Sequence, residues 1–118
     1  MSESKDPLEE FKEIRKRRTR AALEAGSLNT KRFYALDGSV FEQGALDSKT
    51  KELMGLVASA VARCDECIDY HLDRCKQMGV STQELVEALD IALMIGGSVV
   101  IPHHRRAVEI WLRMSASE

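Results

Sequence analysis

Apolar and polar positions along the chain repeat with a helical period and almost never alternate. Between Thr82 and Ile95, the residues Leu85, Val86, Ala88, Leu89, Ala92, Leu93 and Ile95 recur at spacings of three and four, which gathers them on one side of a helix. The stretch just before them, Ser81-Thr82-Gln83-Glu84, is a capping box, with Glu84 three residues after Ser81. A second strong run holds Leu53, Leu56, Val57, Ala60 and Val61; it predicts a helix capped by Asp47 or Ser48 and ending near Arg63. The next helix is predicted from about Asp65 to Met78, where Gly79 stops it. Upstream, Leu8 to Ala25 reads as a thinly apolar amphipathic helix with Gly26 as its C-terminal cap. Leu28 to Gln43 reads as another, with Phe33, Leu36, Val40 and Phe41 on one side and Gly38 weakening it. Gly96-Gly97 interrupts the apolar run, and a last helix is predicted from near Ser98 or Pro102 to about Met114. No strand-like alternation lasts more than a few residues, and Pro occurs only at 7 and 102, so breakers are scarce. The expectation is an all-α, compact five- to six-helix bundle: one domain over residues 1–118, with residues 1–7 polar and frayed.

Composition changes this picture mainly by exclusion. Aromatic residues make up 5% of the chain and its net charge is −2; that leaves little for stacking bases and no global field for a polyanion. The first predicted helix does carry Lys12, Arg15, Lys16, Arg17, Arg18 and Arg20. Its plainer reading is a solvated face partly paired with Glu9, Glu10, Glu13 and Glu24, since no nucleic-acid recognition motif accompanies the charge. The longest apolar stretch, Ala88 to Ile101, is broken by Asp90, Gly96 and Gly97 and is too short to cross a bilayer. No apolar run follows a basic start, so neither a signal peptide nor a membrane anchor is expected, and the cytoplasm is the expected location. Thiols stay reduced there. Three cysteines, two of them in a CxxC, point to redox chemistry or metal rather than a structural staple.

Cys64-Asp65-Glu66-Cys67 falls at a predicted helix start. Free N–H groups and the positive end of the helix dipole favour thiolate there. Two sulfurs three residues apart share a face and can approach bonding distance. His71, one turn beyond Cys67 on the same face, supplies an imidazole that can take a thiol proton and return it to a leaving group. Zinc is tested by reach. Cys64, Cys67, His71 and Cys75 form a Cys₃His set on paper, but Cys64 and Cys75 lie ~16 Å apart along one helix at ~1.5 Å per residue, beyond what bonds of about 2.0–2.3 Å can span. No metal is expected, and Cys75 reads as a small buried hydrophobe. His103-His104 diverge by about 100° on a helix and read as a polar helix start. Glu52 sits in the first turn of its helix, where a surface acid favoured by the dipole is the ordinary expectation.

The arrangement Glu52, eleven residues, Cys64, two residues, Cys67, three residues, His71 resembles the signature of the alkylhydroperoxidase D (AhpD) group, part of the carboxymuconolactone decarboxylase superfamily. The run Leu46 to Leu53, then Gly79 and Ile95-Gly96-Gly97, resembles it too; the likeness covers about Phe33 to Ile110. It implies a helical bundle assembling into trimers or hexamers. It also implies reduction of a small-molecule peroxide, or of a peroxiredoxin's disulfide, by a cysteine pair that an external dithiol regenerates, with no cofactor. Cys67 is then the sulfur oxidised first and Cys64 the one that resolves it, although the dipole alone favours Cys64. One departure is visible: better-known members have a histidine just before the second cysteine, where this chain has Glu66, whose negative charge disfavours a neighbouring thiolate. The alternative activity, a lactone decarboxylase-like reaction, does not depend on a CxxC. If the chain reverses near Cys64, Glu52 is offset from His71 by ~8 Å axially and from Cys67 by ~14 Å. A relay ordered Glu52, His71, Cys67 follows, with Glu52 orienting the imidazole.

Overall fold

The computed structural model describes residues 7–116. It contains six α-helices and one 3₁₀ turn, with no strand among the described residues: α1 (Pro7–Ala25), α2 (Leu28–Val40), α3 (Ser48–Val61), α4 (Asp65–Gln77), α5 (Thr82–Gly96), the 3₁₀ turn (Ser98–Val100) and α6 (Ile101–Ala116). The all-α expectation holds. Of the residues expected to fray, 1–6 lie outside the described residues, while Pro7 opens α1, the helix position where a missing N–H matters least.

Local chemistry sets most of the boundaries. Asp47, rather than Ser48, caps α3 and accepts from the Thr50 amide at 2.7 Å. Hydrogen bonds from Thr50 hold the Asp47 carboxyl below its usual range, so this cap is at full strength near neutrality and weakens as acid protonates it. Ser81 and Glu84 form the predicted capping box at the start of α5. The Gly79 amide bonds to the Lys76 carbonyl and the Val80 amide to the Cys75 carbonyl, with Gly79 at φ +79°; this is a Schellman ending to α4. The second predicted helix runs too far: α2 stops at Val40, and Lys51 Nζ donates to the carbonyls of Val40 and Glu42 at 2.8 and 2.7 Å, holding the chain in a turn before α3.

The core is built from α3, α4, α5 and α6. Leu56, Ile68, Leu72, Leu85, Leu89, Val100 and Trp111 are essentially sealed from solvent, each large apolar side chain contributing about 1.5–3 kcal/mol. Trp111 Nε1 donates to Thr82 Oγ1 at 3.0 Å, satisfying the one polar atom of a buried indole. α4 and α6 are tied by a bidentate pair, Arg106 to Asp69 at 2.7 and 2.6 Å, and by His103 Nδ1 to Asp65 at 2.8 Å. The helix-start histidines are thus split: His103 has a specific partner that sequence reading did not supply. α1 is anchored by the buried Leu8 and by Phe11. α2 buries none of its side chains, so its apolar side faces outward, with Phe33 69% exposed.

Candidate active site

The site is the α3–α4 hairpin. α3 ends in a second Schellman motif: the Arg63 amide bonds to the Ala60 carbonyl and the Cys64 amide to the Ser59 carbonyl, both at 3.0 Å. The residue in the left-handed position is Arg63, at φ +59°, where a non-glycine residue costs on the order of 1 kcal/mol. This tight reversal lays α4 back along α3 and puts Cys64 at the N-cap of α4.

Cys64 Sγ accepts from the Cys67 amide at 3.2 Å. The two cysteines form a disulfide, their Cα atoms 5.3 Å apart, within the ordinary range for such a bond. They differ in setting. Cys64 is half-buried and caps the helix, whereas Cys67 is exposed and lines a pocket of about 240 Å³ together with His71, Glu66, Tyr70, Phe11 and Arg15.

His71 lies one turn further on, 9% exposed. Its Nδ1 is 2.8 Å from Glu52 Oε1 within the same chain. A carboxylate oxygen only accepts, so Nδ1 carries the proton and, in the neutral ring, Nε2 keeps the free lone pair. Phe41 and Tyr70 flank the imidazole with ring centroids 5.2 and 5.0 Å away. Glu52 is 1% exposed, and its second oxygen faces Arg74 Nε at 3.4 Å, so the buried carboxylate has a donor on each oxygen. Glu52 is therefore far from the solvated helix-start acid that its position in sequence suggests.

Two further residues shape the hairpin and carried no sequence signal. Ser59 Oγ donates to the Gly55 carbonyl at 2.7 Å. Gly55 lies against the imidazole: a Cβ there sits 2.6 Å from Cε1 and 2.8 Å from Nε2 of His71. Gly55→Ala is expected to displace the ring from Glu52 and destabilise the protein by about 1–3 kcal/mol, as overpacking does. Thermal unfolding and the ring proton resonances of His71 check this; an unshifted resonance with unchanged stability contradicts it. Cys75 is buried and unbonded to another cysteine. Burial pushes its thiol up to about 12, and the Glu52 carboxylate pushes the same way, so at neutral pH it behaves as the apolar filler expected of it. Among the described residues no group of three or more His, Cys, Asp or Glu side chains converges to hold a metal.

Fold and hairpin together define an all-helical protein with a CxxC disulfide at a helix start and a buried histidine–glutamate pair one turn below it. The chain belongs to the carboxymuconolactone decarboxylase family, whose pattern matches residues 28–109, and within it is of the AhpD-like type that the sequence resembles. It is similar to a Thermotoga maritima protein at 56% identity, with a TM-score of 0.90, over 92% of this chain and 95% of that one. A second crystal structure of that protein, at 57% identity, a TM-score of 0.86 and 91% of both chains, describes a carboxymuconolactone decarboxylase family protein for which a part in the antioxidative response has been suggested. A Legionella pneumophila protein of the same family is 28% identical with a TM-score of 0.81, over 94% of this chain and 99% of that one. An uncharacterised Paracoccus denitrificans protein from the cox locus is 29% identical over 86 residues, 73% of this chain and 78% of that protein.

Proposed function

We propose that the protein is a thiol-dependent peroxidase that cycles the Cys64–Cys67 pair between dithiol and disulfide. One observation carries the reading: the disulfide caps the very helix that presents His71 to Glu52, and Cys67 shares its pocket with His71. In the reduced protein the Cys67 thiolate attacks the distal oxygen of a hydroperoxide. The O–O bond breaks, the sulfur becomes a sulfenic acid, and the departing alkoxide takes a proton delivered through His71. The Cys64 thiolate then attacks the Cys67 sulfur, forms the S–S bond and expels hydroxide, which leaves as water. An external dithiol returns two electrons and two protons. The sum is hydroperoxide plus dithiol to alcohol, water and disulfide. Cys67 is assigned the first step because it is the more exposed of the two residues and lines the pocket, while the half-buried Cys64 is held at the cap.

Glu52 acts through His71 in this reading, fixing the ring with Nε2 available, and touches neither peroxide nor sulfur. The same dithiol could reduce a protein disulfide, such as a peroxiredoxin's, by thiol–disulfide exchange alone. Peroxide consumption driven by dithiothreitol tests the peroxidase. Expected is turnover at a rate proportional to protein concentration that far exceeds the uncatalysed reaction; a rate no higher than dithiothreitol alone contradicts it.

We also infer a homo-oligomer, trimeric or hexameric. Two uncovered apolar regions support this: the outer side of α2, with Phe33, Leu36 and Val40, and a groove of about 1040 Å³ between α3 and α5 lined by Leu53, Met54, Val57, Ile91 and Ile95. Contiguous apolar surface of this kind marks an interface. Light scattering at micromolar concentration is expected to give a multiple of the 13.2 kDa chain mass; a monomer contradicts it.

A further inference from the structure

α2 has little hold on its own copy. It buries none of its side chains. Phe33, Leu36 and Val40 fall within about 60° of one another around its axis, and all three are exposed. Phe41, at the C-cap, lies about 80–140° round from that stripe and flanks His71, the ring centroids 5.2 Å apart. Asp37 lies between the two and lines the pocket of Cys67. α2 is therefore one wall of the redox pocket, and its apolar side faces away from the copy that uses it.

The groove between α3 and α5 is on another side of the bundle. Met54, Val57 and Val61 line it from within about 60° of α3. Glu52 and Gly55, which face His71, lie about 100–180° further round the same helix. α2 stands on the His71 side of its own copy, so its stripe reaches a groove only on a second copy. The lengths agree: the 13 residues of α2 make a rod of ~20 Å, and the lining of α3 from Thr50 to Val61 runs ~17 Å. The charges agree as well. The groove is lined by three acids, Glu84, Glu87 and Asp90, and by no base; Glu84 is already paired with Lys49 at 3.0 Å. Arg32 lies about 40° beyond Leu36, at the edge of the stripe. Neither Arg32 nor Glu87 makes an ion pair or hydrogen bond with another described side chain.

We propose that the stripe of α2 seats in the α3–α5 groove of a second copy of this chain, and that this seat holds the wall of the redox pocket, so that the pocket is complete only in the assembly. This rests on the oligomer and redox readings above. Phe33, Leu36 and Val40 enter the groove against Met54, Val57 and Ile91, and Arg32 comes to the acidic rim at Glu87. A groove paired with its own counterpart would set Glu87 and Asp90 against the same acids, which is unfavourable. A contact between two different surfaces repeats from copy to copy and makes a ring where the rotation closes, so one kind of interface serves a trimer. Fixing α2 from outside fixes Phe41 against the imidazole and Asp37 in the pocket lining. A copy alone leaves that wall to α1 and to the turn held by Lys51.

Three full-length proteins test this: wild type, a stripe variant carrying Phe33→Glu and Leu36→Glu, and a groove variant carrying Met54→Glu and Ile91→Glu. All four positions are exposed, and none lines the pocket of Cys67. By light scattering at micromolar concentration, each variant alone is expected to be smaller than wild type. An equal mixture is expected to form a species larger than either alone, because the intact groove of one accepts the intact stripe of the other. Peroxide turnover driven by dithiothreitol is expected to fall about tenfold in each variant, as loosened positioning does, and to recover in part in the mixture. Amide exchange in α2 is expected to quicken about tenfold or more while α4 keeps its wild-type protection, which shows that the variants are folded. Wild-type mass in either variant overturns the docking. A mixture no larger than its parts overturns it in favour of each surface pairing with its like. Smaller species with wild-type turnover and unchanged exchange in α2 overturn the link to the pocket. A monomeric wild type overturns the oligomer reading and the docking together. Masses as expected, with a wild type that consumes no peroxide, overturn the redox reading and leave the docking standing.

Discussion

Cys67→Ser is expected to abolish peroxide turnover, and Cys64→Ser to leave one reduction event per chain. The asymmetry follows from the hairpin. Cys67 is the exposed residue of the pair and lines the His71 pocket, so its loss removes the nucleophile, and the rate falls to that of the reductant alone, a drop of about 10³-fold or more. Cys64 sits at the N-cap of α4, where its sulfur accepts from the Cys67 amide. Serine is among the best N-cap residues, so Cys64→Ser keeps the helix start and changes only the chemistry. With no thiol added, its Cys67 reacts once, stops as a sulfenic acid and is trapped by a dimedone-type reagent. Cys67→Ser is expected to give no such adduct. The opposite pattern, with trapping on Cys64 alone, reverses the order of attack and agrees with helix-dipole reasoning taken by itself.

Glu52→Gln is expected to lower the peroxidase rate by about 10²- to 10³-fold, the range associated with positioned acid–base groups, while leaving the protein folded. Glutamine keeps the shape and can accept from His71 Nδ1, but it removes the negative charge opposite the ring. Its amide nitrogen can also turn toward His71 and favour the other tautomer. Glu52→Ala is expected to differ in kind. It opens a cavity at a side chain 1% exposed and strips the partner from both His71 and Arg74, destabilising the fold by about 2–4 kcal/mol. Peroxide kinetics over a range of pH, beside thermal unfolding of both variants, separates the two effects. Wild-type rates at every pH in a stable Glu52→Gln protein contradict a role for Glu52 in orienting the imidazole.

The parts of this account that were legible in the sequence are those set by spacing within one helix or across one short turn. Ser81 and Glu84 announce the start of α5, Gly79 the end of α4, and Cys64, Cys67 and His71 share a face because their offsets are three and four. Glu52 and His71 were within reach on paper once the chain turned back near Cys64, since both positions can be counted from the same turn. Pairings between helices far apart in sequence were not legible: nothing in the pattern joins Arg106 to Asp69, His103 to Asp65, or Gly55 to the His71 ring. Periodicity was also silent about which apolar stripe faces the core. α2 carries a respectable one in Phe33, Leu36 and Val40, yet all three are exposed, because α1 and the turn held by Lys51 lead the helix along the outside of the bundle. Arg63 escaped for another reason: the left-handed position at the end of α3 usually holds glycine, and an arginine there gives no turn signal.

The most direct measurement is a thiol count. In the reduced native protein two thiols, Cys64 and Cys67, are expected to react with an alkylating reagent near pH 8. The third, Cys75, is buried with its thiol pushed up to about 12 and reacts only after denaturation. One equivalent of hydroperoxide is expected to bring the native count from two to zero, leave Cys75 intact, and yield a single Cys64–Cys67 disulfide in the digested protein. A count that stays at two after peroxide, or an oxidation that falls on Cys75, contradicts the account.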